Sequence, residues 1–167
     1  MNKKDNIILI GMPGAGKSTI GVVLAKKTGF HFVDSDLVIQ RCEGRLLHEI
    51  IEQEGIEGFL KIENKINGSM WEKHAVIATG GSVIYGTEAM DHLREIGTVV
   101  YLKLPYEDIE ERLGDLNERG VVLKQNQTLK MLYEERIGLY EKYADVVIEC
   151  AGKSIRDIVI EISGVIG

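Results

Sequence analysis

The chain has 167 residues, 44% of them hydrophobic and 28% charged, the make-up of one globular domain rather than a disordered or fibrous chain. Twenty Lys and Arg against 26 Asp and Glu leave a net charge of -6, which argues against a general nucleic-acid or anionic-membrane binder. Cys42 and Cys150 stand far apart with no metal-ligand spacing, and no stretch approaches the roughly 20 apolar residues of a membrane span. The apolar run at 7–10 is too short for a signal peptide, so a cytoplasmic monomer without nucleic-acid or membrane partners is expected.

Short apolar runs at 7–10, 30–33, 75–78, 98–102 and 146–148 read as strands. The first, third and fourth are apolar almost continuously, the habit of parallel strands covered on both faces. Helical periodicity runs over 17–28, 46–54, 56–71, 106–113, 128–143 and 154–162, and Gly29 follows the first of these as a C-terminal cap. Regular alternation of strand and helix predicts an α/β fold, a single domain over 1–167 with a five-stranded parallel sheet in an α/β/α arrangement. The polar, glycine-interrupted stretch 114–127 is longer than an ordinary connection, and Arg119 in its middle suggests a mobile lid.

The first strand runs straight into Gly11-Met12-Pro13-Gly14-Ala15-Gly16-Lys17-Ser18, a full match to G-x-x-x-x-G-K-[ST] between a strand and a helix. Gly11, Gly14 and Gly16 let the backbone curl so that successive N–H groups converge on one anion site. The positive end of the following helix faces the same spot. Lys17 adds a charge for the β- and γ-phosphates, and the Ser18 hydroxyl can ligate Mg²⁺. The chain is expected to bind a nucleoside triphosphate, with Ala15 and Thr19 completing the cradle.

A GTPase reading lacks its base-recognition motif, since Asn64-Lys65-Ile66-Asn67 has no aspartate and falls in a helical pattern. A small domain with a lid points instead to a kinase of small molecules. Asp34 and Asp36 end the second strand, where ligands gather in open α/β sheets. If the segment is extended, the two acids point in opposite directions, one to magnesium and one to an acceptor hydroxyl. The simpler alternative is that Asp36 caps the next helix. Thr79-Gly80-Gly81 closes the third strand, and paired glycines there leave room for a ligand against the backbone.

Together with Gly55-Ile56-Glu57-Gly58-Phe59, Glu63, Arg119 and Glu135-Arg136 followed by Leu139-Tyr140, these motifs resemble the shikimate kinase family over nearly the whole chain. The resemblance implies a nucleoside-monophosphate-kinase-like core that uses ATP and Mg²⁺ to phosphorylate the 3-hydroxyl of shikimate. It implies that Asp36 holds the acceptor hydroxyls and takes the transferred proton, and that Asp34 joins Ser18 in the magnesium shell. Gly80 and Gly81 would line the acceptor site, Arg136 would pair with the acceptor carboxylate, Arg119 would swing in from the lid and Arg112 would flank the adenine. The acceptor-binding helical segment would span about 36–73.

Four positions depart from the pattern. Leu60 stands where the family has an arginine for the shikimate carboxylate, Ser82 where a third glycine is usual, and Gly120 and Gly138 where prolines are usual. Lys61 is a poor substitute for the arginine, because one helical step turns its side chain by about 100°. The phosphoryl-donor residues are intact, and the departures bear on the identity of the acceptor. Two alternatives therefore stand beside a shikimate kinase: a kinase of another small hydroxylated metabolite, and an ATP-binding protein that has lost phosphoryl transfer.

Overall fold

In a computed structural model, residues 5–113 and 123–166 are described. Five parallel strands form one sheet: β1 (Asn6–Ile10), β2 (His31–Asp34), β3 (Ala75–Ala78), β4 (Gly97–Lys103) and β5 (Val146–Glu149). Their order is β2-β3-β1-β4-β5. β1 lies between β3 and β4, with Ile8 level with Ile77 on one side and Val99 on the other. All five residues of β1 and all four of β3 are buried, which is why both segments lack polar alternation. β2 is an edge strand and half exposed.

The helices are α1 (Lys17–Thr28), α2 (Ser35–Glu43), α3 (Leu47–Gly68), α4 (Thr87–Ile96), α5 (Tyr106–Leu113), α6 (Leu129–Tyr143) and α7 (Ile155–Ile166), with a short 3-10 turn at Val83–Tyr85. α1 begins at the last residues of the phosphate loop and ends at Gly29, whose φ of 77° suits a left-handed cap. Gly21 lets α1 close on the sheet, because a Cβ there would sit 2.7 Å from the Phe32 ring. α3 is broken at Gly55, where φ is 75° and ψ is 174°, so the predicted division between 46–54 and 56–71 appears as a kink.

Two helices fall where the periodicity marks none, the first of them inside the helical segment of about 36–73 that the resemblance implies. The stretch after Asp34 folds as α2, and the stretch after the glycine turn folds as α4, with Ala89, Met90 and Leu93 buried. The main core joins β1, β3 and β4 to α1, α4, α6 and α7. A smaller apolar cluster of Ile39, Ile50 and Phe59 holds α2 against α3. No helix among the described residues is long and apolar enough to cross a membrane.

Candidate active site

The phosphate loop leaves the carboxyl end of β1. Gly14 and Gly16 have φ of 84° and 95°, values that an L side chain rarely adopts, so the curl depends on glycine at these positions. Lys17 is buried, and its ammonium group donates to the carbonyls of Gly11 at 2.6 Å and Met12 at 2.9 Å. Burial pulls its pKa down to about 8, against the opposing field of Asp36. The lysine thus folds back on its own loop. Arg112 reaches the same loop from the end of α5 and donates to the Gly14 carbonyl at 3.1 Å.

The hollow over this loop has a volume of about 340 Å³ and is walled by Lys17, Ser18, Thr19, Asp34, Asp36 and Gly80, among others. Asp34 and Asp36 occupy different settings. Asp34 ends β2 and caps α2, its Oδ1 accepting from the N–H groups of Asp36 at 3.0 Å and Leu37 at 3.4 Å. Asp36 lies in the first turn of α2 rather than in an extended segment, so the alternation argument does not apply, and the cap is Asp34 rather than Asp36. The remaining oxygen of Asp34 accepts from the Ser18 hydroxyl at 3.3 Å. Asp36 is left to face the hollow, and burial together with the charge of Asp34 raises its pKa while Lys17 opposes the rise.

A narrower cleft continues from this hollow and shares Pro13, Asp36, Gly80 and Gly81 with it. Gly80 and Gly81 are required by space rather than by φ. A Cβ on Gly80 would lie 2.8 Å from Asp36 Oδ1, and one on Gly81 would lie 2.7 Å from Pro13 Cδ and 2.9 Å from Arg136 Nη1. Arg136 comes from α6, is 2% exposed, and lies over the Tyr85 ring at 5.3 Å from its centroid. Behind it, Tyr140 stacks on Tyr101 and donates to the Gly81 carbonyl at 2.6 Å, fixing the glycine turn to α6.

Of the residues singled out in the sequence, Lys17, Ser18, Asp34, Asp36, Gly80, Gly81 and Arg136 converge here, with Arg112 against the phosphate loop. Arg119 lies outside the described residues, as do 114–122 of the expected lid. Leu60 does not line the cleft. It faces a side hollow with Ile56, Tyr85 and Leu132, walled on one side by Arg136.

The residue with no role assigned from sequence is Glu63. It is 2% exposed, lines the cleft, and accepts the Ser82 hydroxyl at 2.6 Å. The available signal was its spacing, since Phe59, Glu63 and Asn67 follow at intervals of four and put polar groups on the buried stripe of α3.

A triphosphate cradle opening directly onto a second cleft, at the carboxyl ends of a parallel sheet, is the layout of a phosphate-loop kinase of small molecules. The family model for shikimate kinase matches residues 13–166. Curated shikimate kinases of Persephonella marina and Francisella tularensis subsp. novicida are each 39% identical, covering 95% and 98% of this chain and 97% and 95% of the relatives. The solved shikimate kinase from Acinetobacter baumannii in complex with shikimate superposes with a TM-score of 0.87 at 35% identity, covering 97% of this chain and 92% of that one. The chain belongs to the shikimate kinase family, and it is a phosphotransferase with an alcohol group as acceptor and ATP as donor.

Proposed function

We propose that this chain transfers the γ-phosphoryl group of ATP to the 3-hydroxyl of shikimate. The observation that carries this reading is the shared wall: Pro13, Asp36, Gly80 and Gly81 border both the phosphate hollow and the cleft that holds Arg136. A donor phosphate and an acceptor hydroxyl bound on either side of that wall meet at Asp36. Phosphoryl transfer is catalysed mainly by positioning and charge neutralisation, which this arrangement supports.

In this reading the loop N–H groups and the α1 terminus hold the phosphates, and Lys17 leaves the carbonyls of Gly11 and Met12 to meet the β- and γ-oxygens. The phosphates raise the affinity of Lys17 for its proton and keep it charged. Arg136 receives the acceptor carboxylate, which orients the ring toward Asp36. Asp36 accepts the hydroxyl proton as the oxygen bonds to phosphorus, and its raised pKa favours that transfer. Arg119 completes charge neutralisation from the lid, and Arg112 flanks the nucleotide base.

The hard oxygen atoms of Ser18 and Asp34, 3.3 Å apart beside the cradle, suit Mg²⁺, which takes one or two protein oxygens and fills its shell with phosphate and water. When bound, the ion neutralises charge on the β- and γ-phosphates. Both clefts are built from one chain, which supports a monomer as the working unit, and the free thiols Cys42 and Cys150 suit a reducing cytoplasm.

A coupled assay with ATP, Mg²⁺ and shikimate tests the reading: saturable ADP release is expected, and none at millimolar shikimate would overturn it. The uncharged Leu60 side chain, where the family resemblance implies an arginine, favours a second reading, a hydroxylated acceptor with less negative charge. A panel of hydroxy acids and polyols, read by ATP consumption, separates the two.

A further inference from the structure

We infer that Glu63, anchored by Ser82, meets the acceptor as a neutral carboxyl group, so that binding an anionic acceptor takes up a proton. The inference rests on the reading of the acceptor as a carboxylate.

Ser82 donates to one oxygen, Oε1, at 2.6 Å, which fixes the carboxyl plane. The other oxygen, Oε2, is buried and has no hydrogen-bond partner among the described residues. It lies 3.0 Å from the point that a Cβ on Gly80 would occupy, and Asp36 Oδ1 lies 2.8 Å from the same point. Two carboxyl groups therefore flank one face of Gly80 at the acceptor cleft. A buried oxygen without a partner is tolerated where a ligand supplies one.

The charge balance points the same way. The groups facing Glu63 are Lys17 from α1, Asp36 from α2 and Arg136 from α6, with the Tyr140 hydroxyl also on α6. With both carboxyl groups ionised, Asp36 and Glu63 offset the cations beside them, and an incoming carboxylate gains little from Arg136. Leu60 brings no charge, and Lys61 and Lys65 of the same helix are exposed. A proton on Glu63 removes one negative charge from the acceptor cleft, and Oε2–H becomes a donor instead of a repelling oxygen. Burial and the neighbouring Asp36 push Glu63 up to about 7, against the hydrogen bond from Ser82, so that this proton is available near neutral pH.

The test is the pH dependence of KM for shikimate at saturating ATP, from pH 6 to 9, in the native protein, Glu63→Gln and Ser82→Ala. In the native protein KM should stay level below about pH 7 and rise by up to tenfold per unit above it, in the range where the acceptor carboxylate stays ionised. Glu63→Gln should abolish that rise. Ser82→Ala should move it to higher pH, because the lost hydroxyl had favoured the ionised form. Titration calorimetry at pH 8 in two buffers of different ionisation enthalpy gives a second readout on the native protein alone, with close to one proton taken up per shikimate expected. A level KM across the range, a rise that survives in Glu63→Gln, or no proton uptake would overturn the inference. Failure of shikimate to bind or turn over at any pH would instead overturn the assigned acceptor.

Discussion

Asp34 stabilises the start of the helix that carries Asp36: one oxygen accepts from the Asp36 N–H at 3.0 Å, and the other accepts from the Ser18 hydroxyl at 3.3 Å. A single carboxylate thereby ties β2, α2 and the phosphate loop together. The two functions separate by substitution. Asp34→Ala removes cap and charge, costing about 1 kcal/mol of stability from the cap alone. Asp34→Asn keeps a capping oxygen and loses the charge. Thermal melts should show Asp34→Ala lowered and Asp34→Asn near native, while turnover falls steeply in both. Native-like turnover in Asp34→Asn would show that the charge has no part in the reaction.

Lys17 gives a pH dependence with a definite sign. Burial brings its pKa down to about 8, so it is charged below that value and loses its charge as the pH rises through it. Phosphates restore the proton, so nucleotide affinity should fall as the pH climbs above about 8, with proton uptake on binding. Lys17→Ala removes the group altogether, and turnover should drop by about 10²–10³-fold, the scale for losing one donor to developing charge. Fluorescent-nucleotide titrations at pH 7 and 9 check the first point and steady-state kinetics the second. Equal affinity at both pH values in the native protein would count against the lysine as a phosphate ligand.

Gly80 tests the shared wall. The added methyl group of Gly80→Ala would sit 2.8 Å from Asp36 Oδ1 and 3.0 Å from Glu63 Oε2, so both carboxyl groups must shift. Crowding of this kind costs about 1–3 kcal/mol, here directed at the acceptor side. KM for the acceptor should rise by roughly five- to 150-fold, with nucleotide affinity little changed. A variant that loses nucleotide binding equally would place Gly80 in the phosphate cradle instead.

Much of this was legible because it is local. The phosphate loop announces itself through glycines whose φ values only glycine adopts readily, and the break between two helices at Gly55 follows from the same property. The buried strands β1 and β3 are apolar but for Asn6 at the start of β1, so their parallel packing on both faces shows in composition. What could not be read depends on tertiary placement. Asp36 looked like the end of a strand, because nothing in Asp34-Ser35-Asp36 itself decides where β2 stops and α2 starts. Glu63 and Ser82 are 19 residues apart and meet only when α3 packs beside the glycine turn. The departures at Leu60 and Ser82 read as separate losses in sequence. In the fold, Ser82 supplies the buried carboxyl with a donor while Leu60 turns to a neighbouring hollow.

Leu60→Arg decides between the two acceptors. Leu60 is half-buried, and its hollow is lined also by Ile56, Tyr85, Lys124 and Arg136. A guanidinium group at position 60 enters the side hollow that Arg136 also lines and adds one positive charge next to the cleft. For shikimate, the new charged hydrogen bond of roughly 1.5–3 kcal/mol should lower KM by about ten- to a hundredfold. The change should fall on KM rather than kcat, since the carboxylate is remote from the transferring phosphate and is bound alike in ground and transition states. The gain should be largest above pH 7, because the added charge also holds Glu63 lower and removes its demand for a proton. For an acceptor with an apolar or uncharged group at that end, the same substitution desolvates an unpaired charge and weakens binding. Kinetics at pH 6.5 and 8.5 read both effects. An unchanged or higher KM for shikimate at both pH values would favour the less charged acceptor.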